Sequence, residues 1–262
     1  MIDEWIEMRK NEKLKNVVAI PVFNESDVYD IIQRVKKVGV EVLVLDDGST
    51  NDIGSSLKDI QSIYVIRHKW NLGYGQTIID AFNFAINNDY DYLVTIDADG
   101  QHEPEEIPQF LSKMPFREYD ILSGSRYLLP VNSLQEVPDD RYRINMAVTQ
   151  MLNDITGFQL TDAFCGFKAY KVEKLKNLIL TEPGYGMPVQ LWIQAWKAGL
   201  EVRELPVKLI YKDLTKRFHG NLANAETRLE YYKKIIETEL DGKENGKKQK
   251  IFLTYERVKF RI

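Results

Sequence analysis

The chain has 262 residues, 44% hydrophobic and 28% charged, which is typical of a globular protein that can bury a sizeable core. Its formal net charge of -4 predicts no nucleic-acid partner, because proteins that bind nucleic acids usually carry a basic excess. The single cysteine, Cys165, excludes an internal disulfide and a cysteine-rich zinc site, and it fits a reducing cytoplasm.

Both ends of the sequence are expected to lie outside the main domain. Residues 1–15 predict a short amphipathic segment, with acids where a signal peptide would carry basic residues. Residues 241–262 predict a solvated linker followed by a short terminal element. No run approaches the roughly 18 to 20 apolar residues that span a bilayer. We therefore expect that the chain is not an integral membrane protein.

Short apolar strands alternate with helical patterns along the first hundred residues. Strands with apolar residues on both faces are typical of a parallel sheet that helices cover on both sides. The helical spacing of apolar residues predicts helices at 28–35 and 74–87. The predicted strands lie at 16–20, 40–45, 63–66 and 91–96.

The second half continues the alternation with a less regular pattern. A polar loop from Tyr127 to Asp140 separates its first strand from its first helix. The predicted strands lie at 120–124 and 202–211, and the predicted helices at 141–155 and 188–198. The segment 165–170, "CGFKAY", lies between the two helices.

Polar clusters follow each of the first four strands, where parallel sheets bind ligands. They read "PVFNES", "DDGSTND", "RHKWNLGYGQ" and "DADGQH". Asp97 and Asp99 stand where the fourth strand ends, so both carboxylates can turn toward one divalent cation, such as Mg²⁺ or Mn²⁺, shared with a diphosphate. The alternative is that these acids only cap a helix that starts near Pro104.

Other ligand-binding motifs are excluded by particular residues. Gly73 and Gly75 would need a third glycine where Ile78 stands to form a dinucleotide fingerprint, and no Walker A lysine motif occurs. A calcium loop starting at Asp97 would need a glutamate where Pro108 stands.

The motifs "PVFNES", "DDGST", "NLGYGQ", "DADGQH" and "GSR", in this order, resemble family-two glycosyltransferases of the GT-A fold. The later segments "TDAFCGFKAY" and "ELPVKLIY" are similar to the branch of dolichol-phosphate mannose synthase and bacterial polyprenyl-phosphate glycosyltransferases. The resemblance implies one α/β domain over 16–240 with a mostly parallel sheet flanked by helices. A nucleotide-sugar half would cover 16–100 and an acceptor half 101–220.

The resemblance also implies which residues hold the nucleoside. Pro21, Phe23 and Glu25 would frame the base and ribose, and Asp46 with Asp47 would bind one of them. Carboxylates accept hydrogen bonds from ring N–H groups and ribose hydroxyls, and an aromatic ring can cover a base. A turn followed by a helix cap is the structural alternative for the two acids.

The diphosphate and its metal ion are assigned in the same way. Asp97 and its neighbour Ala98 would face the ribose or sugar, while Asp99, Asp97 and Gln101 would hold Mg²⁺ or Mn²⁺. His102 and Cys165 are not expected to take part in the chemistry. Cations that could reach the diphosphate follow the last strand, with a solvated basic loop as the alternative: Lys212, Lys216, Arg217 and His219.

The acceptor is assigned to Asp162 and Arg126. Asp162 would act as general base for a hydroxyl acceptor or position a phosphate acceptor, and its alternative role is structural. Arg126 would clamp an anion, because a guanidinium pairs bidentately with phosphate. The absence of a predicted transmembrane helix is a departure from the lipid-linked relatives.

The sequence therefore predicts a metal-dependent, inverting glycosyltransferase that uses a nucleoside-diphosphate sugar. A polyprenyl-phosphate acceptor would place this cytoplasmic protein at the inner membrane surface, with the basic and apolar C-terminus resting on lipid. The alternatives are a hydroxyl acceptor on a soluble glycan and a catalytically silent sugar-nucleotide-binding module. A sugar nucleotidyltransferase is disfavoured. Such an enzyme is expected to have a glycine-rich, basic phosphate-binding loop after its first strand, and "PVFNES" lacks these features.

Overall fold

In the part of the chain that the structure describes, seven strands form one sheet. A computed structural model describes residues 14–26, 28–51, 53, 57, 60–115, 119–128, 139–208, 210 and 220–242. The strands lie in the order β3-β2-β1-β4-β6-β5-β7. They are β1 (Asn16–Val22), β2 (Glu41–Asp46), β3 (Tyr64–Arg67), β4 (Tyr92–Thr95), β5 (Ile121–Ser125), β6 (Lys168–Lys171) and β7 (Val202–Pro206).

Helices cover both faces of this sheet. Two 3₁₀ turns, Pro104–Glu106 and Gly220–Ala223, precede α3 and α7. The helices are α1 (Val28–Lys37), α2 (Tyr74–Asn87), α3 (Ile107–Lys113), α4 (Asp139–Thr156), α5 (Val172–Leu175), α6 (Met187–Lys197) and α7 (Ala225–Leu240).

Strand β1 shows why helices must cover both faces of the sheet. Val17 and Ala19 belong to an apolar cluster with residues of α2, α4, α6 and α7, whereas Val18 and Ile20 belong to a second cluster with residues of α1 and α3. Successive side chains of a strand point to opposite faces, so a strand that is apolar throughout must be covered on both. The sheet therefore separates two buried layers.

The sheet is mixed rather than wholly parallel. β1 to β4 pair in parallel, as the sequence predicted, but β6 runs antiparallel to both β4 and β5. Thr95 at the end of β4 lies beside Lys168 at the start of β6. The residues that precede β6 therefore lie next to the residues that follow β4, which include Asp97 and Asp99.

Helix α7 was not predicted. Its buried residues, Arg228, Tyr232 and Ile236, follow the four-residue spacing of one helix face, and Ala225 and Leu229 pack against the core on the same side of the helix. The side-chain oxygen of Asn224 accepts the N–H of Thr227 at 3.0 Å and caps the helix. The predicted terminal segments at 1–15 and 241–262 fall almost wholly outside the described residues.

Candidate active site

The first four polar motifs meet at one edge of the sheet. Val22 of β1 lies beside Asp46 of β2, and Asp46 lies beside Arg67 of β3, so the residues that follow these strands are neighbours. Residues 97–101 follow β4 at the same edge, because β4 pairs with β1 in parallel. We call residues 21–25, 46–50, 67–75 and 97–101 the acidic edge.

The first loop of the acidic edge presents an aromatic ring. Phe23 is 43% exposed, whereas Pro21 is buried inside β1 and Glu25 is half-buried. The side-chain oxygen of Asn24 accepts the backbone N–H of Thr50 at 2.8 Å, which ties this loop to the loop after β2. Phe23 is therefore held in a fixed place where its ring can cover a planar group.

Asp46 is buried at the end of β2 and has two partners. It accepts the backbone N–H of Ser49 at 2.9 Å, and Nε of Arg67 lies 3.1 Å from its other oxygen. The side chain of Arg67 is half exposed. The charged side chain of Arg67 therefore lies beside Asp46, which the sequence analysis assigned to nucleoside binding.

Asp47 is buried and connects its own loop to the next one. Its two oxygens accept the backbone N–H groups of Leu72 at 2.8 Å and Gly73 at 2.9 Å. Nδ1 of His68 lies 2.7 Å from the same carboxylate, and Nε2 of His68 lies 3.0 Å from Asp80 in α2. With both oxygens engaged inside the protein, Asp47 fixes the loop between β3 and α2.

His68 is a cation in this arrangement. Burial alone would lower its pKa, but the hydrogen bonds and charges of Asp47 and Asp80 outweigh burial and raise the pKa to about 9. A protonated imidazole donates from both ring nitrogens, which matches its two carboxylate partners. One buried positive charge therefore joins the ends of β2 and β3 to α2.

Asp97 packs directly over Gly166, in the segment that precedes β6. A Cβ on Gly166 would fall 1.9 Å from Oδ2 of Asp97, so only glycine leaves room for this carboxylate. The hydroxyl of Tyr74 donates to Oδ1 at 3.2 Å. Burial and then the charge of Asp99 raise the pKa of Asp97 to about 7. The two acids of the predicted metal site therefore act on each other electrostatically.

The donor atoms at this point fit a hard divalent cation. Asp99 accepts the backbone N–H of Gln101 at 3.0 Å, which holds Gln101 close to Asp99. Oxygen ligands suit Mg²⁺ or Mn²⁺, and a cation would relieve the repulsion between Asp97 and Asp99. Among the described residues no group of three His, Cys, Asp or Glu side chains could hold a metal. A cation here would need substrate oxygens and water to complete its shell.

Three other side chains near Asp97 are buried. Ala98 belongs to the apolar cluster of α1 and α3, so its side chain faces the core. Burial and then Arg126 lower the pKa of His102 to about 3, and burial raises the pKa of the Cys165 thiol to about 12. The histidine and the thiol are therefore both neutral, in line with the minor roles that the sequence suggested for them.

Arg126 and Asp162 form a buried bidentate pair. Nε and an Nη of Arg126 lie 2.6 Å and 2.9 Å from the two Asp162 oxygens, and Nδ2 of Asn145 donates to Asp162 at 2.7 Å. Burial opposes ionisation of Asp162, but Arg126 and Asn145 outweigh it and hold the pKa of this carboxyl below its usual range. Asp162 is thus an ionised anchor that orients Arg126.

A cavity of about 140 Å³ opens beside Arg126. It adjoins the acidic edge through Gln101, and Arg141 and Arg228 also line it. Arg228 is paired with Asp140, since its Nη2 lies 2.6 Å from an oxygen of that carboxylate. We call this space the arginine cavity. Its lining residues are Gln101, Arg126, Tyr127, Arg141, Ile144, Asn145, Phe164, Arg228 and Tyr232.

The structure adds residues that the sequence analysis had not assigned. His68 and Gly166 stand inside quoted motifs, so their positions were available, but their partners are distant in sequence. Arg228 and Tyr232 gave no signal, because α7 itself was not predicted. The four predicted diphosphate-binding cations lie outside the described residues: Lys212, Lys216, Arg217 and His219.

A mixed sheet with an acidic edge at the ends of its parallel strands is the architecture of the GT-A glycosyltransferases, and the chain has this fold. The model of the family "Glycosyl transferase family 2" matches residues 17–179, well over half of the chain. The chain belongs to that family and is a glycosyltransferase. The match includes the acidic edge and the Arg126–Asp162 pair, and it ends before α6 and α7.

Similar proteins have named activities. The chain is 28% identical over 211 residues to an undecaprenyl-phosphate mannosyltransferase of Micrococcus luteus, covering 77% of this chain and 86% of that protein. It is also 28% identical over 211 residues to a polyprenol monophosphomannose synthase of Mycolicibacterium smegmatis, covering 76% and 79%.

The fold is shared with solved structures at lower identity. Glucosyl-3-phosphoglycerate synthase from Mycobacterium tuberculosis, in complex with Mn²⁺, UDP and glucosyl-3-phosphoglycerate, is similar with a TM-score of 0.63 at 17% identity. The similarity covers 91% of this chain and 84% of that one. Among the residues that the structure describes, no helix has the length and apolar character needed to cross a membrane.

Proposed function

We propose that this glycosyltransferase moves a sugar from a nucleoside-diphosphate sugar to a polyprenyl phosphate, with Mg²⁺ or Mn²⁺ as cofactor. The observation that carries this proposal is the junction at Gln101. There an acidic edge with the oxygen ligands for a metal ion meets a cavity lined by three arginines. A donor diphosphate and an anionic acceptor can thus be held side by side.

The acidic edge would hold the donor. Phe23, Glu25 and Asp46 would contact the nucleoside, with Pro21 and Asp47 fixing their loops. Asp97, Asp99 and Gln101 would hold the cation, which stabilises the negative charge that develops on the departing diphosphate. The backbone at Ala98 would line the sugar side. Four further cations beyond the described residues are proposed for the diphosphate: Lys212, Lys216, Arg217 and His219.

The arginine cavity would hold the acceptor phosphate. Three arginines line the cavity, and two of them, Arg126 and Arg228, are each oriented by a carboxylate. Guanidinium groups suit the oxygens of a phosphate. A phosphate is already ionised at neutral pH, so its oxygen attacks without a general base. An engaged, ionised Asp162 fits this chemistry better than proton abstraction from a hydroxyl acceptor. The names of the two relatives support a polyprenyl phosphate.

The reaction would be a single displacement with inversion. An acceptor phosphate oxygen forms a bond to the anomeric carbon while the bond from that carbon to the donor diphosphate breaks, and the electron pair leaves with the nucleoside diphosphate. No covalent enzyme intermediate is needed. A lipid acceptor would bring the protein to the inner membrane surface as a peripheral protein.

Thermal stability with ligands tests the donor assignment. We expect one of UDP, GDP or dTDP sugars to raise the melting temperature with Mn²⁺ and much less without it, because a ligand that binds only the folded state stabilises it. Transfer of radiolabelled sugar from that donor to a short-chain polyprenyl phosphate tests the reaction. If no donor of the panel stabilises the protein with either metal ion, the proposed function is wrong.

A further inference from the structure

A loop outside the family match closes against the acidic edge. It comprises residues 181–186, "TEPGYG", between α5 and α6. The carbonyl oxygen of Pro183 accepts the N–H of Gln76 at 3.0 Å, and a Cβ on Gly73 would fall 2.4 Å from the same oxygen. A Cβ on Gly75 would fall 2.2 Å from another carbonyl oxygen of the loop. The loop therefore packs on the start of α2 with no room for a side chain between them.

The same loop is held from behind by α6 and α7. Oε1 of Gln190 accepts the N–H groups of Thr181 and Glu182, each at 2.8 Å. The hydroxyl of Tyr231 donates to Glu182 at 2.5 Å and accepts the N–H of Gly186 at 3.2 Å. Helices on one side and α2 on the other thus fix the position of the loop before any ligand binds.

This fixed loop exposes one aromatic ring, that of Tyr185. The residue is 50% exposed, and one face of its ring stacks on Tyr74 with 6.1 Å between the centroids and 13° between the planes. The hydroxyl of Tyr74 in turn donates to Asp97. Tyr74 thus connects the ring of Tyr185 to the carboxylate of Asp97. An exposed ring on such a rigid support is preorganised to contact a ligand.

Charged groups of both halves of the site act on Tyr185. Partial burial and then the negative charges of Asp97, Asp47 and Glu25 raise the pKa of its phenol, while Arg141 opposes them. The first three residues belong to the acidic edge, and Arg141 lines the arginine cavity. In a transfer between these two places, the group that lies between them is the sugar itself.

We propose that Tyr185 contacts the transferred sugar and contributes to the choice of donor sugar. The inference rests on the proposed function and adds a residue to it. The open part of the ring can pack on the C–H groups of a sugar, and the phenol can hydrogen-bond to a sugar hydroxyl. A site that hydrogen-bonds a hydroxyl discriminates strongly against sugars in which that hydroxyl is missing or inverted.

Two variants, Tyr185→Phe and Tyr185→Ala, test this role, with Tyr64→Phe as the matched control. Tyr64 is also partly exposed, but it lies at the opposite end of β3 from the acidic edge. Two readouts are needed for each protein: affinity for the free nucleoside diphosphate with Mn²⁺, and kcat/KM for donors that share this nucleotide but differ in the sugar.

We expect both Tyr185 variants to bind the free nucleoside diphosphate within about twofold of the unsubstituted protein. Tyr185→Ala should lower kcat/KM for the preferred donor at least tenfold, and Tyr185→Phe should reduce the preference between epimeric donor sugars. The control should change neither.

Two results would overturn the inference, and they are distinguishable from failure of the proposed function. If Tyr185→Ala weakens binding of the free nucleoside diphosphate and lowers kcat/KM for every donor by the same factor, the residue is structural. If both variants keep the kcat/KM and sugar preference of the unsubstituted protein, Tyr185 does not contact the sugar. Absence of nucleotide binding by the unsubstituted protein would instead contradict the proposed function as well.

Discussion

The acidic edge and the arginine cavity are built in different ways. The residues of the acidic edge lie at the ends of the first four strands and in the segments that follow those ends. The arginine cavity takes one residue from the segment after β4, two from the segment after β5, three from α4, one from the segment before β6 and two from α7. The first is local in sequence, whereas the second exists only after distant segments have packed together.

The two regions also balance their charges differently. At the acidic edge a buried His68 between Asp47 and Asp80 holds three neighbouring elements. At the cavity, Arg126 depends on Asp162, which is 36 residues away in sequence. Substitutions in the acidic edge should therefore impair donor binding and turnover. Substitutions in the arginine cavity should weaken acceptor binding and also lower the stability of the fold.

The largest expected effect is that of Asp99→Asn at the acidic edge. Turnover should fall about a thousandfold, because charge stabilisation by a metal ion is worth several kcal/mol. Asn keeps an oxygen that can accept the Gln101 N–H, and it removes the repulsion with Asp97, so the melting temperature without ligand should not fall. Asp89→Asn, at an exposed site beyond α2, is the control. Metal-dependent turnover equal to that of the unsubstituted protein would contradict the assignment.

Asp162→Asn tests the cavity. The free energy of unfolding should fall by about 3 kcal/mol, because the buried Arg126 loses its counter-charge. KM for the polyprenyl phosphate should rise, while donor binding should persist. Asp154→Asn, at an exposed position of α4, is the control. A fall in kcat with unchanged acceptor KM and stability would instead indicate a general base.

His68 gives the acidic edge a distinctive pH dependence of stability. Its pKa rises from about 6.5 in the unfolded chain to about 9 in the folded one, so its contribution is complete below pH 6.5 and is lost as the pH rises through about 9. Chemical denaturation should show a loss of about 3 kcal/mol over this window. In Asp80→Asn the loss should begin at lower pH. An unchanged profile in that variant would contradict a charged His68.

Gly166→Ala should have the smallest effect. The added methyl group overlaps the Asp97 carboxylate and must displace it, so turnover should fall about tenfold through poorer positioning. Steady-state kinetics with saturating Mn²⁺ measures this change. Full activity would show that Asp97 can move without cost.

The same contrast explains what could be predicted from the sequence. The first four strands, α2 and the acids at the strand ends follow from apolar patterns and from motifs whose residues are consecutive. The antiparallel direction of β6, the His68 bridge and the packing of Gly166 under Asp97 depend on partners far away in sequence. Helix α7 was not predicted, although Leu229, Tyr232 and Ile236 recur at helical spacing; the buried Arg228 interrupts that apolar pattern in the sequence.

The central claim is that the arginine cavity takes an anionic acceptor beside the metal-dependent donor site. The most direct measurement is sugar transfer to two short-chain acceptors that differ only in the phosphate, a polyprenyl phosphate and the corresponding polyprenol, with the donor that stabilises the protein and with Mn²⁺. We expect a radiolabelled lipid product from the phosphate alone, and none from the alcohol. Equal transfer to the alcohol, or transfer only to a soluble glycan, would contradict the account.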